Sequence, residues 1–339
     1  MFGLEYRGNV EAGDARSLPT FLGPPRVALA TARAALGVLH EFLSPATVWL
    51  PSYLCGAIVS GLSARNAQIR FFPVDHRLRL TDDRWLRAVS SGDMVIFIDY
   101  FGFATWDGFA AEARRRGAWV VEDACQALLN RTFSAQAHYT LFSPRKFVGV
   151  PDGGILTSFT GERLPDAALA GLSPEWWLDS LSASQLRGVF DQCGGDRKWF
   201  TLFRRAEAAA PVDAIRMSEL SAALLVEAID YEERSAKRRA NYRCLTGLLP
   251  DAALFPTLDA NVVPLGFPVI FRDRREALTT LYGEQIYPAV HWPIDDVVPP
   301  DFEDSHRLAA KIATLPCDHR YGEEDMERMA ALVRQHVEV

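Results

Sequence analysis

The stretch "DMVIFIDYFGF", residues 93–103, constrains the fold more than any other part of the chain. Its apolar residues run on without the one-in-two alternation of a half-exposed strand, so both faces of the strand must be covered. Sheets covered on both faces are built largely from parallel strands joined by helices. The flanking sequence agrees. "VALA" leads into "TARAALGVLHEFL", whose apolar residues recur at three- and four-residue spacing, as on an amphipathic helix. "TVWLPSY" precedes "CGAIVSGLSAR", and "QIRFFPVD" comes before the central run. After it, "WDGFAAEARRRG" reads as a helix ending at Gly117, and "AWVVEDA" as the next strand. The alternation predicts an α/β fold with a mainly parallel sheet flanked by helices. Ligands of such sheets gather beyond the carboxyl ends of the strands. Here that means the residues after "VAL", "VWL", "VIFID" and "VVE".

A chain of 339 residues has room for a large domain and a smaller one. Residues 1–216 are expected to form the large domain, with 160–212 as an irregular excursion around it. The pattern over 217–248 reads as one long linking helix capped by Ser218, and 249–339 as a small C-terminal α+β domain. That last part offers a strand "GFPVIFR", a turn around "GEQIYPAVHWP" and a closing helix "EEDMERMAALVRQHV". "RSAKRRANYR" falls on the linking helix and reads as a solvated face.

A formal net charge of -7 argues against a general nucleic-acid binder. No apolar run approaches the roughly 20 residues needed to span a bilayer. The N-terminal "MFGLEYRGNVEAGDARSLP" lacks the apolar core of a signal peptide. Cys55, Cys125, Cys193, Cys244 and Cys317 are scattered, with no CxxC pair, as reduced thiols of a cytoplasmic protein would be. His76, His306 and His319 have no ligand-like spacing, so no metal is expected.

The chemistry concentrates at one strand end and one turn. "VVEDACQAL" places Glu122 and Asp123 at the end of a buried strand, where one of them is expected to face the ligand crevice. A buried carboxylate there needs a cationic or hydrogen-bonding partner. Gln126 follows on the same loop, and Lys146 stands further on in "SPRKFVGVPDGG". An acid that can hold a pyridinium nitrogen and a lysine that can form an imine are the two handles by which proteins hold pyridoxal phosphate.

The blocks "VVEDACQALL", "TLFSPRKFVGVPDGGILTS", "IRMSELSAALL" and "LPCDHRYGEEDMERMAAL" resemble, in order, landmarks of the DegT-type sugar aminotransferases, a branch of the fold-type I pyridoxal-phosphate enzymes. The resemblance covers roughly residues 26–335. It implies the fold-type I architecture, pyridoxal 5'-phosphate as cofactor and a homodimer. It also implies Lys146 as the Schiff-base lysine, Asp123 against the ring nitrogen and Gln126 on the ring's 3-oxygen. The family's phosphate turn corresponds to "TARAAL", so the backbone N–H groups of Ala32 and Arg33 would cradle the phosphate. The "Pro-Ser" stretch brings Tyr53 and Cys55 to the ring.

Three positions depart from the family pattern. Leu141 stands where a phosphate-binding serine is usual, Ala214 where a cross-subunit asparagine is usual, and Cys55 where an aromatic residue often stacks on the ring. Thr140 or Ser143 would replace the serine, and Arg33 and Arg145 would supply charge for the phosphate. Arg145, with partial burial, is expected to lower the pKa of Lys146. His291, Trp292 and Arg320 are read as substrate-facing: Trp292 as an apolar platform or a packed core residue, Arg320 as an anion clamp or a surface arginine.

The expected function is transfer of an amino group from glutamate or glutamine to a keto group on a nucleotide-linked sugar or related cyclic ketone. Neither nucleic acid nor membrane is an expected partner. Other pyridoxal-phosphate chemistry, of the dehydratase or cyclase kind, and a non-catalytic scaffold are the alternatives.

Overall fold

A computed structural model describes residues 19–23, 25–167 and 169–338. The N-terminal stretch read above for a signal peptide lies, up to residue 18, outside the described residues. The chain begins with an alternation of strands and helices: β1 (Arg26–Leu29), α1 (Ala32–Leu43), β2 (Val48–Pro51), α2 (Gly56–Ser63), β3 (Ile69–Phe72), β4 (Met94–Ile98), α3 (Asp107–Arg115), β5 (Trp119–Asp123), β6 (Tyr139–Phe142) and β7 (Gly154–Thr157). The seven strands form one sheet in the order β1-β7-β6-β5-β4-β2-β3. Only β7 runs against its neighbours; the others share one direction. Every residue of β4 is buried, as its unbroken apolar run requires.

Because the parallel strands share a direction, their carboxyl ends open on one edge. Ala30 to Arg33, Tyr53 to Cys55, Asp99, Asp123 and Ser143 to Lys146 all follow or close such ends. Helix α1 starts there because Thr31 caps it: the Thr31 hydroxyl accepts the Ala34 N–H at 3.0 Å. The backbone entering β7 passes directly over this start. A Cβ on Gly154 would lie 2.1–2.2 Å from backbone atoms of Thr31 and Ala32, so no side chain fits. The preceding Gly153 adopts a φ of +142°, which favours glycine. Gly154→Ala is therefore expected to cost about 3 kcal/mol or more, read as a lowered midpoint in urea unfolding. A loss under about 1 kcal/mol would mean that the two segments separate freely.

Asp152, fully buried, ties the same turn to the next part of the chain. It accepts the Ser218 N–H at 2.7 Å and the hydroxyls of Ser218 and Ser221 at 2.5 Å. The Trp177 indole also donates to it, at 3.3 Å.

The segment 160–212, expected to be irregular, carries two helices, α4 (Pro174–Cys193) and α5 (Lys198–Ala208). Their apolar stripe is poor, since Leu178, Leu186, Val189 and Phe200 remain exposed, and this obscured them in the sequence. They hold together through Trp176, whose indole donates to Ala206 O at 2.9 Å, and through Arg187, which lies 4.3 Å over the Trp199 ring.

The expected single helix over 217–248 is two: α6 (Glu219–Glu227), capped by Ser218 as read, and α7 (Tyr231–Leu248). The break arises because Asp230 starts a new helix, its side chain accepting the Glu233 N–H at 2.9 Å. Nor is the basic face of α7 wholly solvated. Arg238 is fully buried, donates to Leu265 O at 2.9 Å and lies 4.8 Å over the Phe147 ring. Beyond α7 come β8 (Phe267–Ile270), α8 (Arg274–Gly283), α9 (Glu303–Lys311), β9 (Ile312–Leu315) and α10 (Glu323–Val333), with β8 and β9 paired antiparallel. No helix among the described residues is long and apolar enough to cross a membrane.

Candidate active site

At the carboxyl edge of the sheet lies a cavity that opens to solvent. It brings together Ala32, Arg33, Cys55, Asp123, Gln126, Ser143, Arg145, Lys146 and Trp292 from separate stretches of the sequence. Leu141 also lines it, at the position where a serine was looked for. Of the two residues considered as its substitute, Ser143 faces the cavity. Thr140 points to the other side of the sheet, where its hydroxyl donates to Glu122 at 3.1 Å.

Asp123 closes β5 and is nearly buried; one carboxylate oxygen accepts the Cys125 N–H at 3.0 Å. Gln126 accepts the Phe101 N–H at 2.8 Å through its side-chain oxygen, which leaves its amide N–H groups as donors. Lys146 sits in a short 3-10 turn after β6, beyond Pro144. Burial alone would lower the pKa of its amine. The acidic neighbours Cys125, Asp123, Cys55 and Glu207 outweigh that and hold it above the ordinary lysine value. Burial pushes the Cys125 thiol well above its usual range. Burial would raise Glu207 too, but the Arg145 charge beside it holds that carboxyl below its ordinary value. The expected depression by Arg145 does not occur, because Arg145 is paired with Glu207.

Glu207, from the last turn of α5, also lines the cavity and was missed from sequence. Its signal was weak: one acid among small residues, 62 positions from its partner. The Arg145–Glu207 pair leaves Nε and Nη1 of Arg145 buried without a partner. Arg33 donates to Ala210 O at 3.3 Å, and its Nε is likewise buried and unpartnered. Beside them, the first-turn amides of Ala32 and Arg33 have no acceptor within the helix. Unsatisfied cationic donors at a helix N-terminus make a site for an anion with several oxygens.

The remaining predicted residues fall outside the cavity. Tyr53 is fully buried and packs behind Trp292, ring centres 5.1 Å apart, so Trp292 supplies the aromatic wall. Its hydroxyl has no partner, and burial raises its pKa. His291 packs against Phe101 and Trp292, with its Nε2 buried and unpartnered. Burial, and then the Lys146 charge, lower the His291 pKa to about 3, which keeps the ring neutral. Arg320 is not a free clamp. Asp318 holds it at 2.8 and 3.0 Å, and Asp191 of α4 at 2.9 Å, fastening α4 to the C-terminal part.

On the far face of the sheet, behind Asp123, the carboxyl groups of Asp99 and Glu122 lie within electrostatic reach of each other, both almost fully buried. Trp106 Nε1 donates to Asp99 at 2.9 Å, and Thr140 and the Ser134 N–H donate to Glu122. Asp107 adds a further negative charge. Burial, then the Glu122 charge, raise Asp99; burial raises Glu122 to about 7. The folded state therefore holds a proton that the unfolded chain has released. This stabilisation is complete below the unfolded value of 4.5 and is lost as pH rises through about 7. Between about pH 5 and about pH 8.5, unfolding free energy should fall more steeply in the wild type than in Glu122→Gln. Parallel urea titrations of the two proteins check this, and equal slopes would refute it.

A model of the DegT/DnrJ/EryC1/StrS aminotransferase family matches residues 88–334. No curated protein sequence gives a significant match. Solved structures match in fold. An aminotransferase of this family from Brucella abortus has a TM-score of 0.63 at 20% identity, over 91% of this chain and 85% of its own. The sugar aminotransferase CalS13 from Micromonospora echinospora has a TM-score of 0.61 at 16% identity, over 91% and 87%. Spr1654 from Streptococcus pneumoniae, in its PLP form, has a TM-score of 0.67 at 15% identity, over 92% and 88%. With its sheet, its cavity at the strand ends and a family model matching most of its length, the chain belongs to the DegT/DnrJ/EryC1/StrS aminotransferase family.

Proposed function

We propose that this aminotransferase uses pyridoxal 5'-phosphate and moves an amino group from glutamate or glutamine to a keto group on a nucleotide-linked sugar or related cyclic ketone. One observation carries the reading: Lys146, the Asp123 carboxylate and the unpartnered guanidinium nitrogens of Arg33 and Arg145 share one cavity. The donor set fits the cofactor's three polar features. Arg33, Arg145 and the first turn of α1 suit its phosphate. The carboxylate oxygen of Asp123 not taken by Cys125 suits a protonated ring nitrogen, and the Gln126 amide suits the ring's 3-oxygen. When bound, the cofactor supplies an aldehyde that captures amines and a ring that withdraws electrons.

The chain's own groups do the rest. Lys146 would hold the cofactor's aldehyde through its amine and would carry a proton to and from the carbon bearing the amino group. For this it must lose its own proton, and in the cofactor-free cavity burial favours that loss while the acidic neighbours oppose it. Asp123 keeps the ring cationic, and Trp292 walls the cavity. The likeness to CalS13 supports a sugar as acceptor. A homodimer is part of the proposal, by analogy with the family. Incubation with glutamate or glutamine should discharge the yellow colour of the loaded protein, and a keto-sugar nucleotide should restore it. A colour unchanged by either donor would sink the transfer reading and leave other chemistry of the same cofactor.

A further inference from the structure

Glu207 has no role in the proposed amino transfer. It lines the cavity, yet it comes from α5, which packs outside the sheet. It pairs with Arg145 and lies within electrostatic reach of Arg33 and Lys146, so one carboxylate faces all three cations of the cavity. The two partners differ in exposure: the Arg145 side chain keeps 15% of its surface open and that of Glu207 keeps 35%. Arg145 is thus fixed in the wall, whereas Glu207 has a way out to solvent.

We propose that Glu207 is a built-in competitor for the anion site, occupying the Arg145 guanidinium where the cofactor's phosphate binds. The inference rests on the cofactor reading. A phosphate on the free Nε and Nη1 of Arg145 and the Nε of Arg33 would stand next to the Glu207 carboxylate. Like charges at that range, only partly screened, disfavour each other. The phosphate therefore binds with the carboxylate turned outward. The rest of the hairpin need not follow. Trp177 remains on Asp152, Ser180 on Pro151 O, and Asp191 on Arg320, so the change is confined to the end of α5.

The test is a titration of the cofactor-free protein with inorganic phosphate and with pyridoxal phosphate, followed by calorimetry, in wild type and Glu207→Gln. The competitor role predicts roughly tenfold tighter binding of both anions by the variant, the size expected for removing one nearby like charge. Equal or weaker binding by a variant with unchanged circular dichroism would overturn it, since Glu207 would then be idle or a support for Arg145. If neither protein bound either anion, the cofactor reading itself would fail, and this inference with it. Should the variant not fold, hydrogen exchange on the wild type decides. Saturating phosphate should speed exchange of the amides at the end of α5, and unchanged or slower exchange there would refute the proposal.

Discussion

Lys146→Ala is expected to lower turnover by on the order of 10⁵-fold, about 7 kcal/mol of transition-state stabilisation. The size follows from losing two functions at once. The variant has no amine to hold the cofactor covalently and none to move the proton at the reacting carbon. The anion site is built from other residues, Arg33, Arg145 and the start of α1, so the variant should still bind phosphate. This split separates a catalytic role from a structural one. A variant that lost phosphate binding as fully as turnover would point to collapse of the cavity. One that kept more than a hundredth of its turnover would remove Lys146 from the reaction.

Asp123→Asn is the second large effect, expected to slow turnover by roughly 10²- to 10⁴-fold, equivalent to removing one partner of a buried charge pair. The substitution keeps the shape and the hydrogen bond from the Cys125 N–H, and removes the charge. It has a second signature. Asp123 is one of the groups that hold the Lys146 amine above its ordinary value in the cofactor-free protein, so its loss should lower the pKa of that amine, read from the pH dependence of its chemical labelling. A loss of less than about tenfold with an unmoved amine pKa in the cofactor-free protein would mean that Asp123 is not the working anion of the site.

Much of this site was legible in the sequence because it is built from strand ends. An unbroken apolar run announces a strand covered on both faces, and the residues after such runs converge on one edge. Asp123 could therefore be picked out by position, whereas the roles of Lys146, Gln126 and Arg33 rest on the family resemblance. The parts that could not be read depend on partners distant in the chain. Arg145 pairs with Glu207 across 62 positions and Arg320 with Asp191 across 129, and neither pairing leaves a local pattern. The same holds for Tyr53 and Trp292. Both are aromatic residues near the cavity, and only packing decides that Tyr53 lies behind and Trp292 lines it. The break at Asp230 was hidden because its helical periodicity continues on both sides, and the cap alone restarts the helix. Asp152 follows Lys146 by only six positions, yet its partners lie far along the chain, where it fastens the turn to α6.

The most direct test of the central claim is to load the protein with pyridoxal phosphate, reduce it with borohydride, digest it and locate the added mass. The account predicts one adduct, on the peptide that carries Lys146. An adduct spread over Lys198, Lys237 and Lys311, the other lysines of the chain, with none on Lys146, would contradict it.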